Sequence, residues 1–152
     1  MAAIWRYAII AWSVAVTLPA QAQTLEAVIG GEPHQLERVA DMDSRQQGLM
    51  GRSMLAPATG MLFDFPLGTR PAIWMRNMRI ALDLLFVDEQ AQLVQVFTEV
   101  PPCTELPCAV YQADQPLRFV IELPAGSAQR LQLKIGERLD LGGLEQSPPP
   151  AS

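Results

Sequence analysis

Apolar residues in this chain recur mostly with a period of two, in short runs closed by Gly, Pro or Asp. That is the signature of strands joined by turns. Leu25 to Ile29 alternates and runs into Gly30-Gly31, a two-residue hairpin signal, so Gln35 to Ala40 is the returning strand. Asp41 is placed to cap a short helix, with Met42, Leu49 and Met50 on one face and Gly51 as its stop. Gly48 weakens that helix by about 1 kcal/mol relative to Ala, so it needs a packing reason. After a loop from Leu55 to Thr59, a strand from Gly60 to Phe65 puts Met61, Phe63 and Phe65 on one side and Leu62 and Asp64 on the other.

The pattern changes from Ile73 to Asp88. Ala72 to Met75 reads as a strand, Arg76 to Ile80 as a polar connection, and Leu82 to Val87 as a strand apolar on both faces. Leu93 to Val100 is its hairpin partner, Ala109 to Tyr111 a short strand, and Leu117 to Leu123 a long one. Ser127 to Leu133 forms a helical turn, and Arg138 to Leu141 is a last strand. The predicted architecture is mainly β with α+β character. It is a compact antiparallel sandwich or partly open barrel with one or two short helices. No βαβ alternation calls for a parallel sheet.

The chain ends modify this picture. Arg6, the apolar stretch from Tyr7 to Leu18, Pro19 and Ala20-Gln21-Ala22 have the form of a signal peptide over residues 1–22, cleaved after Ala22. The apolar stretch is about 12 residues, short of the roughly 20 that a spanning helix requires. No stable membrane insertion is expected after cleavage, and the location is periplasmic or secreted. A single domain over residues 23–141 is followed by a Pro-rich tail, 142–152, expected to be disordered.

Without Arg6 the chain carries 10 basic and 16 acidic side chains, a formal net charge of −6. That balance lacks the basic footprint of a nucleic-acid partner. Cys103 and Cys108 are the two cysteines, and an exported chain in an oxidising compartment is expected to join them.

Candidate chemistry is sparse. There is no nucleophile elbow, no His-Glu-x-x-His, and no phosphate-binding glycine loop. His34 is the only histidine and reads as an exposed turn residue beside Pro33. No cofactor or metal set is expected, and whether the chain is an enzyme stays open. Two carboxylates sit on apolar strands: Asp83 between Leu82 and Leu84, and Glu122 between Ile121 and Leu123. Each needs a partner or a cleft; Arg52, Arg76, Arg79 and Arg118 are candidate partners. Six methionines, Met42, Met50, Met54, Met61, Met75 and Met78, fall in one segment. Thioethers fill irregular cores and also bind Cu(I).

The blocks Gly48-Leu-Met-Gly-Arg52, Gly60-Met-Leu-Phe63, Trp74-Met-Arg-Asn-Met78, Leu82-Asp83 with Phe86, Cys108 with Tyr111, and Val120-Ile-Glu122 with Ala125-Gly126 resemble, in order and spacing, the domain of unknown function 192 family, DUF192. The resemblance spans about Leu25 to Leu141. It implies a compact β-rich domain, often exported in bacteria, and no particular reaction. Ile73 stands where the family often has Phe, and Arg76 and Met78 stand where Lys and Thr often flank the Asn.

Three readings of function result. The first is a module binding a small ligand or peptide in a pocket formed by Arg52, Trp74, Asn77, Asp83 and Glu122. The second is a hydrolase or transferase using Asp83 and Glu122 as acid and base, which needs their carboxyls about 5–10 Å apart across a cleft. The third is a Cu(I)-handling protein using methionine. The partner expected is a small molecule or protein.

Overall fold

The computed structural model describes residues 23–151; the expected signal peptide over 1–22 and its cleavage site lie outside the described residues. Eight strands form two sheets. The larger is built from β1 (Gln23–Ile29), β2 (Glu32–Val39), β3 (Thr59–Asp64), β5 (Leu82–Val87), β6 (Leu93–Val100) and β8 (Phe119–Pro124), in the order β1-β2-β3-β8-β5-β6. The smaller is a ribbon of β4 (Ala72–Trp74) and β7 (Val110–Gln112). Two short helices complete the fold, α1 (Met42–Gln47) and α2 (Ser127–Arg130).

Local chemistry explains much of this. Gly30 and Gly31 have φ of 58° and 78°, and Ile29 pairs with Glu32 around them. A two-residue hairpin with both central φ positive matches the right-handed strand twist. The Asp41 side chain accepts from the Ser44 amide at 2.8 Å and caps α1.

The sheet is not purely antiparallel. β2 and β3 run parallel, and the chain between them carries α1, a crossover that two parallel neighbours require. Helix α1 therefore sits in a β-α-β connection that the alternation pattern did not reveal. Arg138 to Leu141 does not form a full strand. Its backbone makes isolated bridges, Asp140 to Val28 on β1 and Arg138 to Gln92 before β6. One short segment thus ties both edge strands together without closing a barrel.

Apolar side chains fill both faces of the large sheet. On one face Leu36, Leu62, Leu85, Phe119, Ile121 and Leu123 form a core. On the other, Met61, Phe63, Leu84, Phe86 and Val120 pack with Leu49, Ile73 and Met75 under α1 and the ribbon. β5 is fully buried along its length, as expected of a strand covered on both sides.

Three expectations are corrected. His34 is buried on β2, with Nδ1 donating to the Glu32 carbonyl at 2.9 Å; a strand residue registered against Ala27 is not in a turn. The tail beyond Leu141 is docked rather than disordered over its first residues. Leu144 enters the first core, and Arg118 donates to the Ser147 carbonyl at 2.8 Å and the Pro148 carbonyl at 3.4 Å. Arg118 does not serve Asp83 or Glu122. It binds Asp64 at 3.0 Å, and Arg38 binds the same carboxylate at 2.8 Å. Two guanidiniums and fixed hydrogen bonds offset the desolvation of that buried charge.

Candidate functional site

Asp83 and Glu122 lie on neighbouring strands in antiparallel register. Leu84 faces Glu122 across the ladder, whereas Asp83 faces Leu123. Directly opposed residues share a face and adjacent residues alternate, so the two carboxyls project from opposite sides of the sheet. This removes the acid–base pair, since two carboxyls on opposite faces of one sheet cannot act across a shared cleft.

Asp83 has a structural task. Between Leu82↔Val100 and Leu84↔Phe97 the register shifts by one residue, a bulge on β6. The amide of Glu99, freed from the ladder with φ of 50°, donates to Asp83 Oδ1 at 2.7 Å. The Gly126 amide donates to the same oxygen at 3.1 Å and the Ala128 amide to Oδ2 at 2.7 Å. One fully buried carboxylate thus joins the bulge to the start of α2. Gly126, at φ 85°, makes the turn that presents these amides.

Glu122 is in the opposite situation. It is 4% exposed, and Oε2 has no hydrogen-bond partner among the described residues. Burial pushes its pKa up from 4.5 to about 8, so near neutral pH the carboxyl carries its proton. It lines an open cavity of about 240 Å³ bordered by α1, β3 and β4. Phe63, Phe65, Trp74 and Leu49 supply the aromatic and aliphatic surface, and Met42, Met50 and Met78 add thioethers. Gly48 lies here for a packing reason: a Cβ would stand 3.2 Å from the Phe63 ring, and its φ is 46°. Arg45 also lines the cavity. Its guanidinium donates to the Ala40 and Asp64 carbonyls and lies 5.2 Å from the Phe65 ring centroid.

Trp74 is 44% exposed and contributes to this cavity and to an adjoining one with Asn77, Asp43 and Arg76. The Arg76 guanidinium lies 5.8 Å from the Trp74 ring centroid. Asn77 adopts φ of 60°, which asparagine tolerates better than most residues. Its carbonyl accepts from the Gly51 amide at 3.1 Å, so it pins the loop after α1. The Cys103–Cys108 disulfide is formed. The Cys103 amide donates to the Met75 carbonyl at 3.0 Å, so the bridged loop is anchored just after β4.

Of the five residues expected to converge, Trp74 and Glu122 meet in the cavity, and Asn77 lines only the adjoining one. Asp83 is on the other face. Arg52 pairs with Glu37 through both carboxylate oxygens, at 2.5 and 2.6 Å, on a half-exposed surface, and lines neither cavity. Sequence reasoning missed Arg45 and Phe65 as cavity residues. The alternation of Met61, Phe63 and Phe65 was the available signal for Phe65; nothing in the sequence pointed Arg45 inward.

This geometry sits on a fold that other proteins share. The DUF192 family model, described as uncharacterized ACR, matches residues 25–141. The chain belongs to the DUF192 family. Two solved structures resemble it. One, from Sinorhizobium meliloti 1021, is described as a candidate transcription regulator; it is 31% identical, covers 79% of this chain and 93% of its own, and has a TM-score of 0.71. The other, from Novosphingobium aromaticivorans DSM 12444, is described as a protein of unknown function; it is 26% identical, covers 86% of this chain and 94% of its own, and has a TM-score of 0.71. No curated protein matches the chain. Among the described residues of this DUF192 protein, no helix is long and apolar enough to cross a membrane. No group of three His, Cys, Asp or Glu among them is arranged to hold a metal ion.

Proposed function

We propose that this DUF192 protein is an exported binding module that receives a small ligand, or one side chain of a peptide, in the cavity between α1, β3 and β4. The observation that carries this reading is Glu122. A buried carboxyl without a protein partner in the wall of a largely apolar cavity is costly to folding, and a ligand that enters would give it one. A few convergent polar groups in an otherwise apolar concavity are the usual composition of a ligand site. Export is supported by the leader pattern and by the disulfide, which persists in oxidising compartments.

The test uses Trp74, the only tryptophan among the described residues. A panel of small amphiphilic molecules and short peptides is titrated while following Trp74 emission and thermal midpoint. A ligand at 100 times its dissociation constant raises stability by about 2.7 kcal/mol. Trp74→Ala should weaken binding at least tenfold, read by calorimetry, with an unchanged midpoint in the free protein. Equal binding by that variant rejects the site. Export is checked by fractionation and N-terminal sequencing, with Gln23 expected first. A role on nucleic acid is not part of this reading, since the acidic chain has no basic footprint to neutralise phosphates.

One observation favours a second reading. Met42, Met50 and Met78 line the same cavity, and thioethers are soft ligands for Cu(I). Met61 and Met75 are buried in the core and take no part. Titration of Cu(I) against a competing chelator decides this; absence of stoichiometric binding removes it.

A further inference from the structure

The buried carboxylates of this domain are not treated alike. Asp64 is held by two guanidiniums and Asp83 by three backbone amides. Glu122 Oε2 has no partner among the described residues, and the side chains beside it in the sheet offer none. Met61 on β3 and Leu84 on β5 flank it in register. Arg45, the other charged side chain lining the cavity, is directed at the Ala40 and Asp64 carbonyls.

We propose that the cavity selects ligands whose apolar body ends in a protonated amine, which is received by the Glu122 carboxylate. The proposal rests on the cavity being the binding site. Three features point to an amine rather than a neutral or anionic head. A carboxylate in an apolar site is stabilised most by an opposite charge within hydrogen-bond distance. The rings of Phe63, Phe65 and Trp74 line the cavity, and two of them already receive guanidiniums, Arg45 on Phe65 and Arg76 on Trp74, as π-systems attract cations. An anionic head would be set against a carboxyl whose Oε2 receives no donor from the protein, the cavity's donors Arg45, Gln46 and Gln47 lying on α1.

The chemistry has a proton balance. Free Glu122 holds its proton until about pH 8. Receiving an ammonium as an ion pair expels that proton to solvent, so each binding event releases one proton at pH 6 to 7. Affinity therefore rises with pH up to about 8 and levels off above it, until the amine itself deprotonates.

The probes are 2-phenylethylammonium, 2-phenylethanol and 3-phenylpropanoate, titrated calorimetrically against the purified protein at several pH values in two buffers of different ionisation heat. The ammonium should bind most tightly at pH 8, its affinity rising about tenfold per pH unit from 6 to 7.5, with release of one proton. Glu122→Gln should abolish the pH dependence and cost at least tenfold for the ammonium at pH 8, a larger loss than for the alcohol. The wild-type proton release stands even if that variant folds poorly. Alcohol or carboxylate binding as tightly as the ammonium at pH 8 overturns the proposal, as does unaltered ammonium binding by Glu122→Gln or no binding by any probe. Alcohol binding that Trp74→Ala abolishes, without amine preference, rejects the amine while leaving the binding site standing. Failure of both the probes and the wider panel rejects both.

Discussion

Asp83 and Glu122 stand one register step apart on β5 and β8, and that step sends their carboxyls to opposite faces of the sheet. The consequence is a division of labour. Asp83 is saturated by three amides and holds a bulge and a helix start in place. Glu122 has an oxygen without a partner and faces the cavity.

Asp83→Ala should therefore unfold the protein more readily without acting through the ligand site. It strands the Glu99, Gly126 and Ala128 amides, each of which costs roughly 1–3 kcal/mol when buried unpaired. Some relax toward water, so a net loss on the order of 3–4 kcal/mol is expected. Urea denaturation measures it. A stable Asp83→Ala protein that merely lost ligand binding would return Asp83 to the site.

Glu122 makes stability depend on pH in a particular sense. Its folded pKa, about 8, lies above the ordinary 4.5. Below pH 4.5 both states hold the proton and no penalty exists. Between these values the unfolded chain ionises while the folded one does not, so stability falls as pH rises, by at most about 1.4 kcal/mol per unit. Above about pH 8 the effect is complete. Glu37 and Asp41, whose carboxyls are held below their usual range by Arg52 and Ser44, act in the opposite sense at lower pH. The difference between wild type and Glu122→Gln isolates the term: denaturation at pH 5, 6, 7 and 8 should show the wild type losing ground steadily to the variant. Parallel curves would mean that Glu122 is ionised when folded.

The local pieces of this fold were legible because their signals lie close together in the chain. Gly30-Gly31, the Asp41 cap and the alternation of Met61, Phe63 and Phe65 each depend on neighbours within a few residues. The parallel pairing of β2 with β3 has no such signal, because it is set by how the α1 crossover packs. Asp64 finds Arg118 54 positions away, so nothing local marks it as a buried ion pair. The site was half legible for the same reason. Apolar neighbours flag Asp83 and Glu122 equally, and only the register between strands distinguishes an amide-filled carboxylate from an empty one. Leu144 escaped notice as a lone apolar residue among Gly, Glu and Pro, with no periodicity to recruit it to the core.

That residue makes the docked tail testable. Leu144 is buried in the first core, and truncation of a buried Leu costs about 2–5 kcal/mol, less where the site can collapse. At the chain's end collapse is easy, so Leu144→Ala should cost about 2 kcal/mol, visible as a lowered thermal midpoint. Deleting residues 142–152 should cost at least as much, because Arg118 then also loses the Ser147 and Pro148 carbonyls. A midpoint unmoved by either change would show that the tail contributes nothing to the fold.

The Cys103–Cys108 bridge separates stability from site geometry. It closes a loop between positions five apart, so the chain-entropy estimate is about 2 kcal/mol, and Pro107 within the loop, already restricting the unfolded chain, lowers it. Replacing both cysteines by Ala should thus shift the midpoint only slightly. Its position matters more. The Cys103 amide holds the Met75 carbonyl, and Arg76 bridges to Cys103, directly after the strand that carries Trp74. Loosening this loop frees β4, one wall of the cavity. The doubly substituted protein is expected to keep most of its stability yet bind the cavity's ligand several-fold more weakly, with broadened Trp74 emission. If stability falls by several kcal/mol while affinity is unchanged, the disulfide serves the core and not the wall.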